Sequence, residues 1–181
     1  RGDKVVIVSH VSPDGDAIGS SLGLYHFLLS QDKTVHVIVP NAFPDFLKWM
    51  PGAKDIIQYN RYKDFADKLI SEADVLCVLD LNVLSRLDEM KDVVEQSPAR
   101  KMLVDHHLYP GDFARITISH PHISSTSELV FRLIFHFKLF LLPKTNVSRA
   151  VVDFIASVDK CILLASQNYN GNFCHKTFAW S

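Results

Sequence analysis

Three cysteines in 181 residues, Cys77, Cys161 and Cys174, match no zinc-ligand spacing, and their odd number leaves no paired disulfide framework. A reduced, cytoplasmic protein is the simplest expectation. No apolar run reaches the ~20 residues that a bilayer span requires, and the N-terminal residues carry no signal-peptide pattern. Basic excess is missing as well: 19 Lys and Arg stand against 20 Asp and Glu, a net charge of −1 that leaves no footprint for duplex nucleic acid. A small anionic ligand suits such a chain better than a duplex or a membrane, and the oligomeric state stays open. Internal repeats, low-complexity tracts and linkers are also missing. The chain begins at Arg1 rather than Met, which reads as a fragment of a longer product.

The length has room for one domain, or one domain plus part of another, and a hydrophobic fraction of 48% is enough for a sizeable core. Lys4 to Val8 is a continuous β-branched run of the kind buried on both faces, and Asp16 to Ser30 carries apolar residues at helical spacing. Further strands are expected at Thr34 to Val39, Ile56-Ile57, Asp74 to Asp80, Arg100 to Asp105 and Ala114 to Ile118. Helices are expected near Pro44 to Met50, at Tyr62 to Ser71, Ser85 to Glu95 and Ser127 to Phe137, and at Val147 to Leu164. Such alternation predicts an α/β fold, a parallel β-sheet flanked by helices on both faces.

Acids and imidazoles gather where strands end. His10-Val11-Ser12-Pro13-Asp14-Gly15-Asp16 follows the first strand, Asp80 the fourth, and Asp105-His106-His107 the fifth. The carboxyl ends of parallel strands lie side by side and form the ligand-binding edge of such a sheet. His10, Asp14, Asp16, Asp80 and His106 or His107 are therefore candidate ligands for two divalent cations, with Asp105 able to orient a histidine. Helix capping by Asp14 or Asp16 is the plain alternative, but it accounts for one acid and not for a histidine with two. Ser125 and Thr126, at the start of the 127–137 helix, can donate to a phosphate or simply cap; Ser125 with Glu128 forms a capping-box pattern. The remaining histidines, among them His26, His36 and His136, lack acidic neighbours at ligand spacing.

These residues together resemble the DHH phosphoesterase superfamily, whose signature is the Asp-His-His run found at 105 to 107. The 10–16 cluster resembles its opening motif, Asp80 in Val78-Leu79-Asp80-Leu81-Asn82 its second, and Ser124 to Val130 the stretch after Asp-His-His. Within the superfamily the chain is most similar to the bacterial bifunctional oligoribonucleases that also act as 3′-phosphoadenosine 5′-phosphate phosphatases. The resemblance implies a two-manganese centre, with Mg²⁺ as the alternative: His10 and Asp14 on one metal, Asp16 and His106 on the other, and Asp80 between them. It further implies that Asp105 holds a ligand histidine and that His107 contacts the substrate phosphate or assists the leaving group. The implied substrates are short RNA oligonucleotides or 3′-phosphorylated nucleotides. A cyclic-dinucleotide phosphodiesterase or pyrophosphatase of the same superfamily is the neighbouring alternative.

Two departures from the family pattern temper what the resemblance implies. No Thr-Asp-Thr-Gly string follows the 127–137 helix, and no second, substrate-gripping domain follows residue 181. Residues 1–145 are thus expected to form the catalytic lobe and 146–181 an incomplete or altered end of it, the change beginning near Lys138. A remnant that binds metal without turnover is the corresponding alternative function.

Overall fold

A computed structural model describes the backbone of residues 3–141, with side chains through 136. Two expectations fall outside the described residues: the 147–164 helix, and the altered tail with its boundary at 145.

Strand β1 (Lys4–Val8) is buried from Val5 onward because helices cover both of its faces. Alternate side chains leave a strand on opposite sides, so Val5 and Ile7 join one core cluster and Val6 and Val8 another. β2 (Thr34–Val39), β3 (Ile57–Gln58), β4 (Val75–Leu79), β5 (Arg100–Asp105) and β6 (Ile116–Ser119) complete a six-stranded sheet in the order β3-β2-β1-β4-β5-β6. Every pairing is parallel, with Ile7 beside Val37 and Cys77, and Val78 beside Leu103.

The expected α/β architecture is the one found. On one face, α1 (Gly15–Leu29) and α4 (Thr126–Leu141) pack Ile18, Leu22, Leu129, Val130 and Ile134 against Ile7, Val37, Leu79 and Val104. On the other, α2 (Lys63–Ser71) and α3 (Lys91–Gln96) pack Ala66, Ile70 and Val94 against Val6, Val78 and Leu103. Each fully buried aliphatic side chain contributes about 1.5–3 kcal/mol relative to leaving it in water. None of the described helices is long and apolar enough to cross a membrane.

Two helical expectations are corrected. The helix expected at Ser85 to Glu95 is not one helix: a 3-10 segment at Leu84–Met90 precedes α3, and Asp88 inside that segment takes φ 53°, ψ −127°. No α-helix passes through that conformation, whose positive φ side-chain-bearing residues rarely adopt. The segment near Pro44 to Met50 is only a 3-10 turn at Asp45–Leu47, with a second at Ala53–Asp55.

Chain direction sets where a site can form. From β1 the chain steps outward to β2 and β3, then returns to β4 and steps the other way to β5 and β6. The gap between β1 and β4 is the switch point of the sheet, the place where open α/β sheets bind ligands at their carboxyl edge.

Candidate metal centre

Three neighbouring strands, β1, β4 and β5, release His10, Asp80 and Asp105-His106-His107 at this edge. Asp80 is the middle of the arrangement and only 2% exposed. Its Oδ2 lies 3.5 Å from His10 Nε2, and its Oδ1 lies 3.7 Å from His106 Nε2. Oδ1 also accepts the Thr126 hydroxyl at 2.9 Å. Asp80 adopts φ 61°, and Ser12 and Tyr109 at 54° and 60° share this left-handed backbone in the loops after β1 and β5. Backbone outliers of this kind concentrate at functional sites, where surrounding structure holds them in place.

The two inner histidines are oriented alike. His10 Nδ1 donates to the Val11 carbonyl at 2.8 Å, and His106 Nδ1 approaches the Ile123 carbonyl at 3.3 Å. Each imidazole therefore turns Nε2 toward carboxylates, the arrangement by which a backbone carbonyl prepares a histidine to ligate metal. His106 Nε2 is also 3.7 Å from Asp16 Oδ2, and His10 Nε2 is 3.9 Å from Asp14 Oδ1. These separations exceed an ordinary hydrogen bond of about 2.7–3.2 Å. They suit groups that share a small cation rather than a proton.

Both aspartates of the first loop cap helices as well. Asp14 is the N-cap of α1, its Oδ1 accepting from the backbone N–H groups of Asp16 and Ala17 at 3.0 Å each, and its side chain is 67% exposed. Asp16 caps the other helix: Oδ2 accepts from Thr126 N and Oδ1 from Ser127 N, both at 2.8 Å. Close approach of α1 to α4 permits this. A Cβ at Gly19 would stand 3.1 Å from Ser127 Oγ, so glycine makes room for the contact. Capping, one of the two alternatives in the sequence, is thus made by both residues, and each also keeps a carboxylate oxygen near a histidine Nε2.

Electrostatics separates the carboxylates. Burial and the neighbouring Asp80 charge push Asp16 up to about 6, against the pull of the Ser127 and Thr126 hydrogen bonds. Burial also pushes Asp80 upward, but the close-lying His10, the hydrogen bond from the Thr126 hydroxyl and the nearby His107 outweigh it and hold Asp80 below the ordinary carboxylate value. Burial works to lower His10, yet Asp80 and the Val11 carbonyl together raise it. The Asp80 charge disfavours ionisation of Asp16, a repulsion that an added positive charge between them would relieve.

Not every expected residue is placed as expected. Asp105, fully buried, grips His107 rather than the inward-facing His106: Oδ1 takes His107 Nδ1 at 2.7 Å and Oδ2 the His107 backbone N–H at 3.0 Å. The ligand-capable atoms of Asp80, His106 and His107 lie within 4.8 Å of one another. Even so, His107 Nδ1 is committed to Asp105, whereas His106 Nε2 faces Asp80 and Asp16. Ser125 and Thr126 are buried and face protein partners. Ser125 Oγ accepts the Glu128 backbone N–H at 3.1 Å, a helix cap, and Thr126 serves Asp80. One residue escapes sequence reasoning altogether: Arg86 Nη1 lies 3.3 Å from both His107 Nε2 and the Asp80 carbonyl. The signal that could reveal it is a cation six residues beyond a strand-end acid, near the start of a 3-10 segment.

Known proteins are similar to this chain in sequence, and one solved structure is similar in fold. The chain is 33% identical over 132 residues to the bifunctional oligoribonuclease and PAP phosphatase NrnA of Thermus thermophilus, covering 72% of this chain and 36% of that one. It is 28% identical over 169 residues to the cyclic-di-AMP phosphodiesterase GdpP of Geobacillus thermodenitrificans, covering 84% and 25%. The crystal structure of an exopolyphosphatase-related protein from Bacteroides fragilis is 56% identical and superposes with a TM-score of 0.76, over 94% of this chain and 58% of the other. The chain therefore spans well under two thirds of each relative's length. Residues 4–157 match the family model for the DHH family, N-terminal domain, and the chain belongs to the DHH family.

Proposed function

We propose that residues 1–145 act as the catalytic lobe of a manganese-dependent phosphoesterase that hydrolyses short oligoribonucleotides or 3′-phosphorylated nucleotides such as 3′-phosphoadenosine 5′-phosphate. The observation that carries this reading is the Asp80 carboxylate with one imidazole Nε2 facing each of its oxygens, at 3.5 and 3.7 Å. In it, His10 and Asp14 hold one cation, Asp16 and His106 the other, and Asp80 lies between. Carboxylates suit Mn²⁺ and Mg²⁺ equally, while two imidazoles tilt the choice toward Mn²⁺. Such cations supply charge stabilisation and an acidified water for attack on phosphorus.

The chain's own residues supply the rest. Val11 and Ile123 carbonyls fix the two ligand imidazoles, Thr126 orients Asp80, and Asp105 holds His107 beside the edge where a substrate phosphate would lie. The substrate class is supported by the likeness to the oligoribonuclease and PAP phosphatase. Likeness to cyclic-di-AMP phosphodiesterases, at 28% identity, supports the neighbouring reading. A cytoplasmic setting accords with the unpaired, buried Cys77.

Hydrolysis of a short oligoribonucleotide, 3′-phosphoadenosine 5′-phosphate and cyclic di-AMP, each with Mn²⁺ and with chelator, tests the proposal. Turnover that requires metal and disappears in Asp80→Asn is expected, with one of the first two substrates preferred. Metal-independent turnover, or full activity in that variant, refutes it. Preference for cyclic di-AMP selects the neighbouring reading, and tight Mn²⁺ binding with no turnover on any of the three selects the non-catalytic remnant.

A further inference from the structure

Arg86 is a half-buried guanidinium among acids that makes no ion pair among the described residues. Asp14, Asp16, Asp80 and Asp105 all lie around the strand ends it adjoins, yet its hydrogen-bond partners are a backbone carbonyl and an imidazole nitrogen rather than a carboxylate. These are the Asp80 backbone carbonyl and His107 Nε2, both contacted by Nη1 at 3.3 Å. The residue is held from behind as well, because its own carbonyl accepts the Val11 N–H at 2.8 Å and ties the 3-10 segment to the loop carrying His10. A guanidinium has five N–H donors in a planar fork. Nη1 is engaged; Nη2 and Nε have no protein partner among the described residues.

We propose that Arg86 grips the phosphate of the anionic substrate, its Nη2 and Nε donating to non-bridging oxygens while Nη1 stays anchored on His107 and Asp80. This deepens, and rests on, the phosphoesterase reading of the same site.

Three physical points support it. Carboxylates repel a phosphate, and Arg86 is a positive charge at this edge that no carboxylate pairs with among the described residues. A planar fork matches two phosphate oxygens at once, which a lysine cannot do. Finally, the chain Asp105, His107, Arg86 is continuous: Asp105 Oδ1 takes His107 Nδ1 at 2.7 Å, and Nε2 on the far side of the ring meets Arg86. His107 Nε2 is thereby occupied, so contact with phosphate on this side falls to Arg86, and the buried Asp105 acts as the foot of a rigid arm.

Inorganic phosphate is the probe. Its affinity for the full, Mn²⁺-loaded chain is measured by calorimetry and as product inhibition, and Mn²⁺ binding is measured separately to confirm that each variant is folded and loaded. Arg86→Gln is expected to keep wild-type Mn²⁺ affinity and to bind phosphate ~10- to 100-fold more weakly, the loss set by charge-assisted bonds. Substrate KM should rise in step. Arg86→Lys keeps the charge without the fork and should fall between the two; it also serves should the Gln variant fail to fold.

Phosphate affinity within twofold of wild type in either folded variant overturns the assignment, as does a wild-type chain that binds no phosphate. The two proposals fail separately. Arg86-dependent phosphate binding by a chain that hydrolyses no ester removes the hydrolase reading and keeps the grip. Unimpaired hydrolysis in Arg86→Gln does the reverse.

Discussion

Thr126 donates its hydroxyl to Asp80 Oδ1 at 2.9 Å across 46 positions of sequence, joining the first turn of α4 to the end of β4. The bond fixes the carboxylate rotamer on which His10 and His106 converge. Replacing Thr126 by Val keeps the shape and removes the donor. Outer partners of this kind typically change metal affinity by about 10–100-fold, so Thr126→Val should weaken Mn²⁺ binding by that order in a calorimetric titration. An unchanged isotherm would show that Asp80 is held by other means.

Acidity should control cation binding. Asp16 is raised to about 6 and His10 is raised above its ordinary value, so both take up protons at mildly acidic pH, and a bound cation must displace them. Mn²⁺ affinity is expected to fall steeply from pH 7 to pH 5. Stability of the metal-free chain runs the other way. A carboxyl raised in the folded state stabilises below its ordinary 3.8 and loses that contribution as pH rises through about 6. Asp80 has the opposite sign, its contribution being lost only as pH falls through a value under 3.8, outside this window. Melting temperatures of chelated wild type and Asp16→Asn at pH 5 and 7 check the sign: the wild type should lose stability between them by more than the variant does.

Asp80→Ala and Asp80→Asn should differ in stability though both remove the charge. Asp80 lies at φ 61°, where Asn is tolerated and Ala is strained. Ala is therefore expected to be ~1–2 kcal/mol less stable than Asn at this position, measured by urea unfolding of the chelated proteins. Equal stabilities would mean that the loop relaxes.

Leu103 and Cys77 probe the two faces of the sheet. Leu103 is fully buried against the α2 and α3 face, so Leu103→Ala should cost about 2–5 kcal/mol. Cys77 faces the α1 side, and burial pushes its thiol up to about 12. Alkylation mapped by peptide mass should spare Cys77 in the native chain and reach it only after unfolding. Rapid native labelling there would contradict the packing.

Much of this fold is legible in residues 5–8, 37–39 and 102–104, because strand segments covered on both faces are apolar runs. The boundary inside residues 84–96 is not, since the apolar period runs through Asp88 and nothing in it marks a positive φ. Ligand candidates are legible for a topological reason: parallel strand ends are neighbours, so acids after β1, β4 and β5 must meet. Roles within Asp105-His106-His107 are not, because three adjacent polar residues look alike until the Ile123 carbonyl and Asp105 carboxylate choose between the imidazoles. Arg86 is hidden for a related reason. In Leu84–Met90 it has the spacing of any solvent-facing cation.

The order of β1, β4 and β5 turns the sheet into a ruler. Hydrogen-bonded strands stand about 4.8 Å apart, so three of them set a span of about twice that, with Asp80 at its midpoint. A pair of cations lies ~3.5–4 Å apart in two-metal sites, a length that fits inside this span with a ligand at either end. Peptide hydrogen bonding thus sets the gauge that the proposed pair of cations would have to fit, before any side chain selects a rotamer. Slipping β4 by a single residue would turn Asp80 from the midpoint of that gauge into the wall of the sheet.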